Sequence, residues 1–123
     1  MTDARVASLH AKTSIAVAKA VAYLRAKQSY NGGFCFYKYA YLDQPNLHDT
    51  YHALQALQLS GATISRRDEI LLYLAHTEPL DASDLFYSVF SLDSLGQFSM
   101  VPPAHMTRVQ ALRVKCLEAA ADV

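Results

Sequence analysis

The sequence has no excess of charge of either sign and no long apolar run. Eleven basic residues balance eleven acidic ones, so no net field attracts nucleic acid or an anionic lipid surface. The longest apolar-looking stretch, residues 15–24, contains Lys19 and is too short to cross a bilayer. No charged segment followed by a leucine-rich core and a cleavage site begins the chain. These absences argue against nucleic-acid binding and a transmembrane segment, and we expect a cytoplasmic protein.

Cysteine, glycine and proline are also scarce, with two, four and four residues in 123. Cys35 and Cys116 lie far apart and outside CxxC or CxxH spacing, which argues against a disulfide framework or a dedicated zinc knuckle. No glycine or proline interrupts residues 3–28, where apolar side chains recur at helical spacing. The length fits a single domain with a moderate core.

The glycines and prolines that do occur mark the ends of further helices. Asn46 is a fair N-cap, Asp49 lies where an acid can close a capping box, and Gly61 lies where a left-handed C-cap is expected. The predicted helices cover residues 3–28, 46–61, 66–77, 81–95 and about 103–121. The sequence therefore predicts an all-α fold of about five helices, with no convincing strand.

An internal repeat relates the second predicted helix to the fourth. NLHDTYHALQALQLSG, residues 46–61, aligns with DASDLFYSVFSLDSLG, residues 81–96, at a constant offset of 35. The N-cap, the acid three residues later, the apolar stripe, two small residues and the final glycine all recur. The helices before them match at an offset of 50, so the first connection is longer by 15 residues. This extra length contains FCFYKYAY, residues 34–41, which we call the aromatic segment.

The repeat predicts stacked helical hairpins within one domain. The first covers about residues 3–61, the second about 65–96, and the final helix forms the first half of a third hairpin. Hairpins of this kind bury their apolar faces against each other, so an incomplete set leaves one face uncovered. We therefore expect an exposed apolar edge.

The first hairpin carries a more specific motif. Gln28, Gly32 and Phe34 form a Gln-x-x-x-Gly-x-aromatic pattern after the first helix, and Thr50-Tyr51 opens the second. This resembles the repeat shared by protein prenyltransferase β subunits and by squalene and terpene cyclases. The second hairpin lacks the glycine pattern, so the resemblance covers roughly two thirds of the chain.

The resemblance implies a partial α/α toroid whose second and fourth helices line a cavity. The family's ring closes with several more hairpins than this sequence provides. The chain is therefore expected to be a partial ring, an excised or divergent piece, or a subunit whose helical ring is completed by a second copy in a homo-oligomer or by a partner subunit.

Prenyltransferases that this sequence resembles hold a catalytic zinc ion with an Asp, a Cys and a His. Asp43, Cys35 and His48 supply these residue types, with His52 one turn further along the helix. Their register differs, because Asp49 stands where the family's histidine directly precedes the threonine. We therefore expect no cofactor, with zinc or magnesium as the alternative.

Asp49, His52 and Asp84 are the candidates for catalysis. The Asp-x-Asp-Asp cluster by which related cyclases protonate an alkene does not occur in this sequence. Asp49 and Asp84 also occupy the position of a capping-box acid, so a structural role is favoured for both. No complete catalytic motif is present, and the sequence leaves open whether the protein is an enzyme.

The candidate ligand-binding residues are aromatic and histidine side chains. If the aromatic segment is extended, its alternate residues Cys35, Tyr37, Tyr39 and Tyr41 share one side. Its rings either hold an isoprenoid or similar apolar molecule, or they cover an open flank or contact a partner. The candidates are Tyr30, Phe34, Phe36, Tyr37, Tyr39, Tyr41, His48, His52 and Tyr87.

The functional prediction is a terpenoid- or prenyl-transfer-related helical subunit that binds an isoprenoid-like ligand. The expected site is a groove lined by residues 46–61 and 81–96 under the aromatic segment, catalytic only if a partner completes the cavity. The alternative is a non-catalytic subunit that uses its open helical face for protein contact.

Overall fold

A computed structural model of the chain describes residues 2–39 and 42–121. Five α-helices follow one another: α1 Thr2–Ala26, α2 Leu47–Leu59, α3 Arg67–His76, α4 Ala82–Ser94 and α5 Pro103–Ala121, with a short 3-10 helix, Phe98–Met100, before α5. The described residues contain no β-strand, only isolated bridge pairs. The all-α prediction is confirmed, and every helix end lies within two residues of its predicted position. None of the described helices is long and apolar enough to span a membrane.

The paired helices α2 and α4 begin in the same way. The side chain of Asn46 accepts a hydrogen bond from the Asp49 N–H at 2.8 Å, and Asp81 accepts one from the Asp84 N–H at 2.8 Å. These caps satisfy backbone donors that have no partner within the helix. In α4 the Asp84 carboxylate also accepts from the Leu80 N–H at 3.2 Å. The Asp84 carboxylate thus bonds the backbone just before α4, one residue ahead of the Asp81 N–H that a capping box would use.

The same two helices also end alike. Gly61 and Gly96 adopt φ angles of +75° and +73°, a left-handed conformation that favours glycine. The residue after each glycine donates its N–H back to the helix, to the Leu57 carbonyl at 3.0 Å and to the Leu92 carbonyl at 2.9 Å. The sequence repeat thus corresponds to a repeated helix with matching caps.

The core lies around α2, α3 and α4, and α2 and α4 form the most extensive helix pair. Leu54 of α2, Leu74 of α3 and Leu92 of α4 are fully buried. Ala53 and its repeat equivalent Ser88 are fully buried as well, and such small side chains allow close packing of neighbouring segments. The central helix pair therefore provides the surface on which the other elements pack.

A buried amide joins the first connection to the second hairpin. The Gln28 Nε2 atom donates to the Gly32 carbonyl and to the Ser65 carbonyl, both at 3.1 Å. Arg66, just before α3, donates to two further carbonyls of the same turn, including that of Ser29 at 2.8 Å. The turn after α1 and the start of α3 are consequently held as one unit.

Helix α1 contacts the core only near its C-terminal end. Val21 and Leu24 pack against the core, whereas Val6, Leu9 and Val17 are exposed. In α5, similarly, the first part packs and the second does not: Met106, Val109 and Leu112 contact the core, and Val114 and Leu117 are exposed. Apolar side chains are thus exposed at the outer ends of both helices, and a single open edge stays a prediction. Membership of a closed or partial toroid stays a prediction.

We expect Gly32→Ala to be far more destabilising than Gly61→Ala. Both glycines have positive φ, +92° and +75°, which costs an alanine about 1–2 kcal/mol. A Cβ at Gly32 would also lie 2.7 Å from backbone atoms of Glu69 and Ile70, whereas nothing lies within 4 Å of one at Gly61. Urea unfolding should show a loss of about 3 kcal/mol or more for Gly32→Ala and about 1 kcal/mol for Gly61→Ala. Equal losses would show that the turn does not pack tightly on α3.

Candidate functional site

Six ring-bearing side chains of α2 and α4 form one continuous surface, the aromatic face. Neighbouring centroids lie between 4.5 and 5.6 Å apart, in edge-on or tilted arrangements that suit the charge distribution of aromatic rings. The residues are His48, Tyr51, His52, Phe86, Tyr87 and Phe90. The structure therefore brings together three of the predicted ligand-binding residues, His48, His52 and Tyr87.

The aromatic face follows directly from the sequence repeat. Tyr51 contacts Phe86 at 5.4 Å between centroids, and His52 lies 5.6 Å from Tyr87. Each of these pairs consists of residues separated by 35 positions, so equivalent residues of the two hairpins meet across the helix pair. Phe86 and His52 are exposed, which leaves the face accessible.

Asp49 lies beneath one end of this face with its carboxylate buried. One oxygen, Oδ2, accepts from the Phe36 N–H and from the Asn46 Nδ2, both at 2.9 Å. The other, Oδ1, lies 2.9 Å from the His48 Nδ1. Burial raises the pKa of Asp49, but these three hydrogen bonds outweigh it and hold the pKa below its usual value.

The expected capping-box role of Asp49 is therefore only half correct. Its N–H is capped by Asn46, but its carboxylate is directed at the aromatic segment and at His48. Asp49 differs here from its repeat equivalent Asp84, whose carboxylate accepts from the backbone just before α4. The first hairpin uses this acid to anchor the inserted segment.

The hydrogen bond to Asp49 fixes the tautomer of His48. An ionised carboxylate can only accept, so the Nδ1 atom of His48 must carry the proton in the 2.9 Å contact with Asp49. In the neutral imidazole the Nε2 atom then keeps a free lone pair. His48 is therefore an oriented acceptor on an exposed surface.

Over residues 34–39 the aromatic segment is not extended, so the alternation that an extended segment would give does not occur. A turn at Phe36 and Tyr37 breaks it, so that Cys35 is buried while Tyr37 and Tyr39 are exposed. Phe34 is 1% exposed and belongs to the core. Its N–H donates to the Thr50 Oγ1 at 3.0 Å, so Phe34 holds the segment on α2 and is not available to a ligand.

The remaining predicted rings are dispersed. Tyr30 is exposed on the turn after α1, and Tyr41 lies outside the described residues. Phe36 and Tyr37 line a small cleft of about 310 Å³ together with Tyr23, Leu24, His48 and Asp49. Phe36 and Tyr37 of the aromatic segment therefore share a concave site with His48, a predicted ligand-binding residue.

The predicted zinc ligands do not come together. Cys35 is buried, and the Asp43 carboxylate accepts from the Ser29 hydroxyl and the Tyr30 N–H. His48 is engaged by a different carboxylate. Within residues 2–39 and 42–121, no three His, Cys, Asp or Glu side chains lie close enough to hold a metal ion. The zinc site that the family resemblance implies does not fit these residues.

A second concave site lies between α4 and α5, where the sequence analysis placed none. This α4–α5 groove has a volume of about 310 Å³. Its lining is entirely apolar: Ala82, Leu85, Phe86, Val89, Phe90, Phe98, Met106, Val109 and Leu112. The groove expected from the sequence was lined by α2 and α4, whereas this one is lined by residues of α4, α5 and the short 3-10 helix. The apolar stripe Val109 and Leu112 on the last helix was the signal that could have indicated the groove.

Comparison of the chain with protein-family models, with curated proteins and with solved structures finds no match. Within the described residues, the aromatic face, the cleft and the groove are the features from which a function can be inferred.

We expect Asp49→Asn to change the pH dependence of stability. Because the folded-state pKa of Asp49 is lowered from 3.8, its ionised form stabilises the fold above that value. This contribution is lost as the pH falls through the folded-state pKa. Urea unfolding should show the wild type more stable at pH 7 by about 1–3 kcal/mol, with the difference shrinking below pH 4. The exposed Asp93→Asn serves as the control, and an equal pH response in both variants would contradict the assigned role.

Proposed function

We propose that the protein binds a hydrocarbon-rich small molecule of the isoprenoid class in the α4–α5 groove. The observation that carries this proposal is the composition of the groove, whose nine lining residues are all apolar. Its volume of about 310 Å³ lies at the lower end of the range for small-molecule sites. A groove of this size suits part of a branched hydrocarbon chain.

The affinity would come from removal of apolar surface from water. Each buried methylene contributes about 0.8 kcal/mol, and a lining without polar groups imposes no cost for desolvation of hydrogen-bonding atoms. Phe86 and Phe90 belong both to the groove and to the aromatic face. A longer ligand would therefore extend from the groove onto the rings of α2 and α4.

The resemblance to prenyltransferases and cyclases supports the ligand class but not a reaction. Both candidate acids, Asp49 and Asp84, accept hydrogen bonds from backbone N–H groups. Neither belongs to the groove lining. We therefore propose ligand binding alone for this chain. Catalysis would require an assembly in which a partner supplies the missing catalytic groups.

A second candidate function, the docking of a partner helix, is favoured by the repeat itself. Helix α4 covers the side of α2 that carries Tyr51 and Gln58. The equivalent positions on α4 are Phe86, which lines the groove, and Asp93, which is exposed. The groove thus occupies the place that a third paired helix would take, supplied by another subunit.

We expect the wild-type protein to bind farnesol, measured by calorimetry in detergent-free buffer. Phe90→Ala should weaken binding about tenfold, because it removes a ring from the groove. Tyr30→Ala removes an exposed ring outside the groove and should leave the affinity unchanged. Farnesyl diphosphate should bind no more tightly than farnesol, since the groove lining offers no partner for the diphosphate.

Light scattering of the same samples separates the two candidate functions. Ligand binding by a monomer supports the first. An oligomer that dissociates with Met106→Lys in the groove, but not with the exposed control Leu80→Lys, supports the second. Absence of farnesol binding in any assembly state would overturn the ligand proposal.

A further inference from the structure

We infer that His48 and His52 form a binding site for a transition-metal ion on the aromatic face. The two residues are four positions apart on α2, so their side chains leave the same side of the helix one turn apart. Their ring centroids lie 4.5 Å apart, and both residues are exposed. A metal ion binds imidazole nitrogen at about 2 Å, and rings at this separation can both reach one ion.

A carboxylate behind one of the imidazoles strengthens the inference. Asp49 Oδ1 accepts from the His48 Nδ1 at 2.9 Å, which leaves the Nε2 lone pair of His48 free for a metal. Metal-bound histidines commonly have such a carboxylate partner, which fixes the tautomer and raises the basicity of the ligand. Two further hydrogen bonds to Oδ2, from Phe36 and Asn46, hold the carboxylate in place. The His48 imidazole is therefore oriented before any ion binds.

The surroundings determine which ions the site would take. Tyr87 lies 5.3 Å from His48 and 5.6 Å from His52, and Tyr51 lies 5.2 Å from His52, between ring centroids. These rings flank the two imidazoles, and both histidines are exposed to solvent. Two nitrogen ligands favour Cu²⁺, and less strongly Ni²⁺ and Zn²⁺. Mg²⁺ prefers oxygen ligands and is not expected to bind.

This site shares His48 with the zinc site implied by the family resemblance, but its other ligands differ. It uses neither Cys35 nor Asp43, and it needs no third protein ligand. It also lies outside the α4–α5 groove, because neither histidine belongs to the groove lining. Failure of one proposal therefore leaves the other intact.

The test is titration of the full chain with Cu²⁺ and Zn²⁺, followed by calorimetry and by copper electron paramagnetic resonance. All proteins carry Cys116→Ser, because this exposed thiol would otherwise compete for metal. The expected result is one bound Cu²⁺ per chain, held more tightly than Zn²⁺, with a spectrum showing nitrogen coordination. His48→Ala and His52→Ala should each weaken Cu²⁺ binding at least tenfold.

The matched controls are His10→Ala and His76→Ala, which remove exposed histidines on α1 and α3 and should leave the affinity unchanged. Asp49→Asn should weaken binding about tenfold or more through its effect on His48. Circular dichroism of each variant confirms that the helices are intact. Unchanged Cu²⁺ affinity in the double variant His48→Ala/His52→Ala would overturn the inference, as would loss of binding in either control.

Discussion

The pairing of α2 with α4 is the interaction on which the rest of the structure depends. Residues at equivalent positions of the two hairpins meet, as Tyr51 and Phe86 do, because each helix has the same caps and the same pattern of large and small side chains. The pairing buries leucines on one side and exposes rings on the other. It also leaves the far side of α4 without a third helix of the same kind, and the α4–α5 groove is the result.

The helices could be predicted from the sequence because their signals are local. Helix caps act within one helical turn, as they do at Asn46, Asp81, Gly61 and Gly96. An apolar stripe depends on residue spacing alone. The path of the aromatic segment could not be predicted in this way. It is fixed by contacts with α2, because the backbone of the segment donates to the Thr50 hydroxyl and the Asp49 carboxylate, 16 and 13 residues away in sequence.

The candidate site was predictable only in part, because some of its contacts also depend on the aromatic segment. The repeat alignment placed His52 and Tyr87 at equivalent positions, and these residues do meet. The same alignment made Asp49 and Asp84 equivalent, yet their carboxylates have different partners. The difference arises because the longer first connection supplies the Phe36 N–H near Asp49, and the shorter second connection has no counterpart of the aromatic segment. An insertion can thus change the chemistry of a residue while its place in the repeat stays the same.

The exposed part of α1 has a consequence for how cooperatively this chain unfolds. Eight of the 25 residues of α1 are alanine, the residue with the highest helix propensity. Residues 3–20 are nevertheless exposed throughout, so local hydrogen bonding supports them and tertiary packing does not. Isolated helices of this length are only marginally stable in water. The backbone amide hydrogens of residues 3–20 should therefore exchange with solvent through helix–coil fluctuations. Those of α2 and α4 should exchange only through larger opening events.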